Sequence, residues 1–380
     1  MSASTAASAS GFAWMSDRMA MRIAAQAVSH RQCQSGGASA AHVEACQRVV
    51  SAGHRDGRPA GAPVRRCVDA TQCGMARVRL SGFLPGSAGT GVATLSGVIR
   101  HHFTVDVEEY FQVSAFESRL RRADWDRFES RVGGSVDQLL DLLARHEARA
   151  TFFVVGWVAE RQPNLVRRIA LAGHEIASHS WDHARVTDQS PPAFRDSVRR
   201  AKYVLEELAG APVIGFRAPS FSIVPGREWA LDVLIEEGYR YDSSLFPVRR
   251  SGYGYANGHR DPHWLERPIG RIAEVPPTTL RRWGANLPAG GGAYFRLLPY
   301  ALVRAALRDC ERRRAPGTFY IHPWEIDPEQ PRFGVSWLTR LRHYGGLHRT
   351  LPRLERLLGE FRFTAIADTL PRLSGALARV

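Results

Sequence analysis

From Gly97 onward, short apolar runs alternate with longer stretches in which apolar residues recur three and four positions apart. This is the pattern of parallel strands joined by helices. Gly97 to Val107 is predicted as a strand ending at acidic residues, and Ala150 to Val155, Glu175 to His179, Pro212 to Arg217 and Thr318 to His322 as further strands. Helices are predicted between them. Ser135 to His146 carries Leu139, Leu140, Leu142 and Leu143 with Asp137 and Asp141 near its start, and Asn164 to Ala172 closes at Gly173. Phe194 to Ala209 ends at Gly210, and Arg227 to Glu237 meets Gly238, a helix stop signal. Phe246 to Ala293, rich in Gly, Pro, Trp and Arg, is expected to be a long loop walling a groove. Arg332 to Leu370 is expected to hold two helical stretches around HYGGLHRT. No internal repeat is present.

Met1 to Ser96 differs in kind. It is rich in Ala, Ser, Gly and Arg and has no sustained period, so it is predicted to be mostly disordered, with the biological start near Val98. Four of the five cysteines, Cys33, Cys46, Cys67 and Cys73, lie in this stretch without the short paired spacing of a zinc ribbon. The apolar stretch near the amino terminus is broken by Asp17, Arg18 and Arg22, unlike a signal peptide. Structural disulfides are therefore not expected, and a cytoplasmic location is. No run approaches the roughly 18 apolar residues of a membrane span.

With 44% hydrophobic and 23% charged residues over 380 positions, the remainder is ordinary globular material. The net charge of +14 raises the question of nucleic acid. Lys202 is the sole lysine, and the arginines spread along the chain instead of forming one stripe with interleaved aromatics. Nucleic-acid binding is excluded on that footprint.

The polar clusters fall where strands end, the place where βα folds keep their chemistry. HSWDH, His179 to His183, offers two imidazoles four residues apart, which converge on one metal if the segment turns helically. Surface or capping histidines satisfy the same spacing. FTVDVEE, Phe103 to Glu109, puts Asp106 and Glu108 on one strand face, as a ligand and a free base or as an acidic turn capping the next helix. FRAPSF, Phe216 to Phe221, holds Arg217 beside a stiff Ala-Pro pair, suited to orienting a carboxylate or to an ordinary salt bridge. FYIHPWE, Phe319 to Glu325, ends a strand at His322, a general acid or a packed core histidine. Together a metal, a base, an arginine and a second acid form the inventory of metal-assisted amide or ester hydrolysis.

These motifs in this order, with ATFFVVGW at Ala150 to Trp157 between the first two, resemble the NodB-homology polysaccharide deacetylases of carbohydrate esterase family 4. The resemblance covers roughly Arg100 to His322. GGGAYFRLLPY, HPWEIDPEQPR and LRHYGGLHRT resemble the subgroup associated with exosortase and exopolysaccharide gene clusters. The family implies an α/β fold, a distorted (β/α) barrel, and one divalent metal ion, usually zinc but in some members cobalt or another ion. The organisation then reads as a tail over 1–96, a NodB-like domain over 97–330 with the insertion 246–293, and a helical extension over 331–380 packed on the barrel.

Carried over by position, the resemblance assigns the metal to His179, His183 and one acidic residue. Where the family has adjacent aspartates this chain reads Asp-Val-Glu-Glu, so Glu108 is taken as ligand for its shared strand face, with Glu109 as the alternative. Asp106 matches the base, Arg217 the arginine that orients it, His322 the acid, and Asp242 in YDSSLFP the aspartate tied to that acid. Phe221 and Trp324 are expected to pack against a sugar face or acetyl methyl, or against the barrel rim. The implied reaction is removal of N-acetyl groups from a bacterial polysaccharide or its lipid-linked precursor in exopolysaccharide biosynthesis, with an acetylated glycan as partner and peripheral contact with membrane-bound polysaccharide machinery. Hydrolysis of a small cyclic amide, as in allantoinase-like relatives, and an inactive sugar-binding module are the competing readings.

Overall fold

β1 (Arg100–Val107) is buried at every position after Arg100, yet its two faces meet different surroundings. Phe103, Val105 and Val107 join the main apolar core, while His102, Thr104 and Asp106 alternate with them on the other face. The same division recurs in β2 (Thr151–Val154), where Phe152 and Val154 face that core and Phe153 joins a second cluster with Ala177, Tyr241 and Ala273. A sheet with helices on one face and a small interior on the other is curling toward a barrel.

The structure, a computed structural model, describes residues 98–117, 119–250, 252–256, 258–373 and 377–379. The expectations for Met1 to Ser96, including the four cysteines there, lie outside these residues. In chain order α1 (Val132–Arg145) links β1 to β2, and α2 (Gly156–Arg161) and α3 (Pro163–Leu171) link β2 to β3 (Glu175–Ser178). α4 (Pro191–Ala209), which starts at the Ser190 cap and ends at left-handed Gly210, leads to β4 (Gly215–Phe216). α5 (Trp229–Glu236) leads to β5 (Tyr241–Asp242). Consecutive strands β1 to β5 pair in parallel, β5 pairs with β7 (Gly270–Glu274), and β7 pairs antiparallel with β6 (His263–Arg267).

β8 (Thr279–Arg282) and β9 (Ala285–Pro288) form a separate hairpin. Thus two short hairpins occupy much of 246–293. After α6 (Gly292–Leu297) and α7 (Tyr300–Arg312), β10 (Thr318–Ile321) pairs in parallel with the other edge of β1. No continuous ladder joins β7 to β10. Instead the Thr278 amide donates to the Thr318 carbonyl at 3.0 Å and the Tyr320 amide to the Gly290 carbonyl at 2.7 Å. Those two bonds close the circuit, and the result is a distorted (β/α) barrel. α8 (Trp337–Tyr344) and α9 (Thr350–Glu360) follow, then β11 (Arg362–Thr364) on β1 and β12 (Leu377–Arg379) on β6. Because β1, β3, β4 and β10 run parallel, the residues just beyond each, Glu108, His179, Arg217 and His322, emerge at the same end of the barrel.

Candidate active site

Glu108, His179 and His183 each offer one ligand atom, and these atoms all lie within 4.8 Å of one another with all three residues buried. The histidine pair does not converge through a helical turn. Ser180 and His183 adopt left-handed backbone, with φ of 68° and 55°, and this fold-back brings the two rings to a 5.2 Å centroid separation. Such conformations are costly and persist only where surrounding bonds impose them. Here the first amides of α2 do so: Gly156 N donates to Ser180 O at 2.9 Å and Trp157 N to Trp181 O at 2.7 Å, while Ser197 Oγ accepts from Trp181 N at 3.0 Å. A Cβ on Gly156 would sit 2.5 Å from the Trp181 ring, so ATFFVVGW needs its glycine to let that indole close in.

The donor set fits a divalent cation. His179 Nδ1 lies 2.7 Å from the Arg217 carbonyl, which can only accept, so the proton sits on Nδ1 and Nε2 keeps a lone pair. Burial outweighs the nearby Asp106 and holds the His179 imidazole down to about 4, neutral as a ligand must be. Glu108 Oε2 is buried with no hydrogen-bond partner although His183 Nε2 is 2.5 Å away, and His183 Nδ1 is likewise unpartnered. Burial pushes the Glu108 carboxyl up, but His183, His322 and His179 together outweigh it and keep it below the usual carboxylate range. A buried carboxylate oxygen with no hydrogen-bond partner, set beside two buried imidazoles, is what a bound cation would satisfy. Glu109 turns the other way. Its carboxylate accepts from Ser130 Oγ, Arg131 N at 3.1 Å and Val132 N at 3.3 Å, capping α1.

Arg217 is fully buried and serves four neighbours. Its Nη1 donates to Asp106 Oδ1 at 2.6 Å and to Thr104 Oγ1 at 2.8 Å, its Nη2 to Ser243 Oγ at 2.8 Å, while its carbonyl holds His179. Asp106 Oδ2 is left facing His322 Nε2 at 3.8 Å, and Glu108 Oε1 lies 3.9 Å from the same nitrogen. His322 Nδ1 is bonded to Glu325 Oε1 at 2.7 Å, and Glu325 Oε2 to Arg296 Nε at 2.5 Å, with Glu325 and Arg296 both buried. Burial lowers the His322 imidazole, but Glu108, Glu325 and Asp106 outweigh it and raise it to about 9. The carboxylate behind the candidate acid is therefore Glu325. Asp242 instead accepts from Ser244 Oγ at 2.6 Å and shares a buried contact with Glu274, one layer into the barrel.

Asp106, Glu108, His179, His183, Arg296 and His322 line one cavity of about 400 Å³, with Arg217 and Glu325 behind its wall, and Asp242 does not reach it. Phe221 lines it from a left-handed position beside left-handed Ser220, packed on Phe246 and Tyr320. Trp324 also lines it, but as a buried partner of the ligand cluster: its Nε1 donates to Glu108 Oε1 at 3.0 Å, and its indole stacks with His322 at 5.1 Å and His343 at 4.3 Å. The sequence reading missed Glu325, Glu274 and Arg296. The signal for Glu325 was present in HPWE, where a carboxylate three residues after a strand-end residue forms a capping box. No local signal marks Arg296, whose partners lie 29 to 49 residues away.

Parts of the chain are similar to known proteins. Residues 127–234 match the family described as polysaccharide deacetylase, and residues 243–371 a domain of unknown function, DUF3473. A peptidoglycan-N-acetylglucosamine deacetylase of Bacillus cereus is 33% identical over 96 residues, 25% of this chain and 35% of that protein. A chitooligosaccharide deacetylase of a Bradyrhizobium species is 32% identical over 96 residues, 25% of this chain and 42% of that one. The match thus spans well under half the length of either relative. Among solved structures, an allantoinase superposes at 19% identity and TM-score 0.47, over 71% of this chain and 88% of that one. The segment that builds the histidine loop, within 127–234, is thus similar to the polysaccharide deacetylase family.

Proposed function

We propose that the protein is a metal-dependent hydrolase that removes N-acetyl groups from a bacterial polysaccharide or its lipid-linked precursor, in exopolysaccharide biosynthesis. The observation that carries the reading is the single cavity uniting Asp106, Glu108, His179, His183 and His322, residues drawn from three strand ends. A divalent ion, zinc or an alternative such as cobalt, would be held by Glu108, His179 and His183 and would supply Lewis-acid polarisation and a lowered pKa for the attacking water.

The chain's own groups carry the proton traffic. Asp106, fixed through Oδ1 by Arg217, presents Oδ2 as the base that takes a proton from water attacking the acetyl carbonyl. His322, kept protonated by its carboxylate neighbours, has Nε2 turned into the cavity, where it donates a proton to the departing amine nitrogen. Arg217 prevents Asp106 from swinging toward the cation site, and Glu325, by accepting the Nδ1 proton, holds the His322 imidazolium with its Nε2–H toward the cavity. Phe221 offers an apolar wall for the acetyl methyl. A cavity of this volume suits a sugar unit with its substituent.

The test is acetate release from acetylated oligosaccharides, with elemental analysis of the purified protein. Chelation abolishes release and zinc or cobalt restores it. His179→Ala loses bound metal and activity together, whereas His322→Ala keeps the metal and loses turnover. Full-rate release by chelated, metal-free protein would sink the proposal.

A further inference from the structure

α8 has two unlike sides. Thr339, Arg342 and His343 line the active-site cavity. On the side away from it, Trp337, Leu338 and Leu341 stand in solvent at 71%, 59% and 53% exposure. Two more exposed apolar residues, Leu297 and Leu298 at the end of α6, lie beside them. Arg296 joins the two elements by donating to the carbonyls of Arg342 at 2.9 Å and Gly345 at 2.5 Å. Arg353 donates to the Leu298 carbonyl at 3.0 Å, and a Cβ on Gly345 would lie 2.8 Å from Leu297 Cδ2. The five apolar side chains therefore belong to one patch, not to separate surface residues.

The charge of the segment that carries α8 is one-sided. Between Pro331 and Leu354 the chain has no Asp or Glu but contains Arg332, Arg340, Arg342, Arg349 and Arg353. Among the described residues none of these forms an ion pair, whereas Arg304 and Arg356 both pair with Glu360. Exposed Trp and Leu on a helix that also carries the exposed Arg340, within a segment that has arginines and no acidic residue, is the composition of a helix that rests in a membrane interface, its apolar side among acyl chains and its guanidinium groups on anionic headgroups. A second copy of the chain suits the patch poorly, because a two-fold contact would set the arginines of one copy against those of the other. No helix among the described residues is long and apolar enough to cross a membrane, which is consistent with resting on the surface.

We infer that the α6–α8 face, with Trp337, Leu338, Leu341, Leu297 and Leu298, docks the protein on an anionic lipid bilayer. Since the inner side of α8 is a wall of the cavity, docking sets the cavity mouth at the bilayer surface. This goes beyond the hydrolytic reading and holds or fails separately from it.

The test is co-sedimentation of the full chain with phosphatidylcholine vesicles that contain or lack phosphatidylglycerol. Binding is expected only with phosphatidylglycerol and weakens as salt rises. Trp337→Ser with Leu341→Ser lowers vesicle partition at least about tenfold, and Arg340→Glu lowers it severalfold. All three positions are exposed, so melting temperature and acetate release from a soluble oligosaccharide stay at the parent level. The inference is overturned if the parent ignores anionic vesicles, or if the double variant binds them as the parent does. It is also overturned if sedimentation shows a parent dimer that the double variant dissolves without any vesicle binding, which would make the face a contact between copies.

Discussion

Glu325→Gln separates the roles of two carboxylates that the sequence does not distinguish. Glu325 accepts from His322 Nδ1 at 2.7 Å and from the His322 amide at 3.2 Å, and its other oxygen meets Arg296. Replacing it leaves the Arg296 guanidinium with backbone carbonyls alone, and an unpaired buried charge costs about 3–5 kcal/mol. The melting midpoint should fall by roughly 10 °C, so activity is measured well below it. His322 is held at about 9, and losing an adjoining carboxylate lowers such a group by about 1–3 units. The sign is fixed: the acid form exists below that pKa, so the alkaline limb of the rate profile moves to lower pH. Ring orientation is lost as well, and turnover at neutral pH should drop by about 100-fold, the usual contribution of a positioned acid. Asp242→Asn, by contrast, touches no cavity group and should leave turnover within about threefold. If Asp242→Asn fell as far as Glu325→Gln, or if Glu325→Gln kept the parent alkaline limb, the assignment of Glu325 to His322 would be wrong.

Two further outcomes follow from the geometry. Gly156→Ala pushes a methyl into the Trp181 ring, so it should cost about 1–3 kcal/mol in chemical denaturation and weaken metal retention in a chelator competition; unchanged values for both would refute the role given to that contact. The buried Asp242–Glu274 pair gives a pH signature: burial raises Asp242 from its ordinary 3.8 to about 6 and Glu274 well above its own value, and Glu274 Oε2 has no partner unless a proton is shared with Asp242. Both pKa values are raised, so this stabilisation is complete below pH 3.8 and declines as pH rises through about 6. Glu274→Gln supplies a permanent N–H and should flatten the fall in melting temperature over that window, whereas a slope equal to the parent's would refute the shared proton.

Much of the barrel was legible because its strands are buried on both faces and read as unbroken apolar runs, as in Ala150 to Val155. The strand-end motifs were legible for the same reason, since polar residues closing an apolar run stand out. The hairpins within 246–293 were not, because strands of four or five residues among Gly, Pro and Arg leave too few positions for a period of two. The convergence of His179 and His183 was read from the right spacing by the wrong route: the left-handed turn at Ser180 depends on amides donated from α2, which no local pattern encodes. Alternation along β1 selects Glu108 over Glu109 as the ligand, whereas the cap that Glu109 gives α1 is legible only once the start of that helix is located.

Arg217 grips Asp106, the proposed base, with its side chain and the His179 tautomer with its main chain, so the two halves of the proposed chemistry share one anchor at the end of β4. A side-chain change there releases Asp106 while sparing His179. A backbone shift there misaligns both together. On the proposed reading, natural or engineered drift should therefore fall into two kinds: variants that still bind the ion but turn over poorly, and variants that fail at both. The second kind should yield only to repair of the strand end, however the ligand residues themselves are altered.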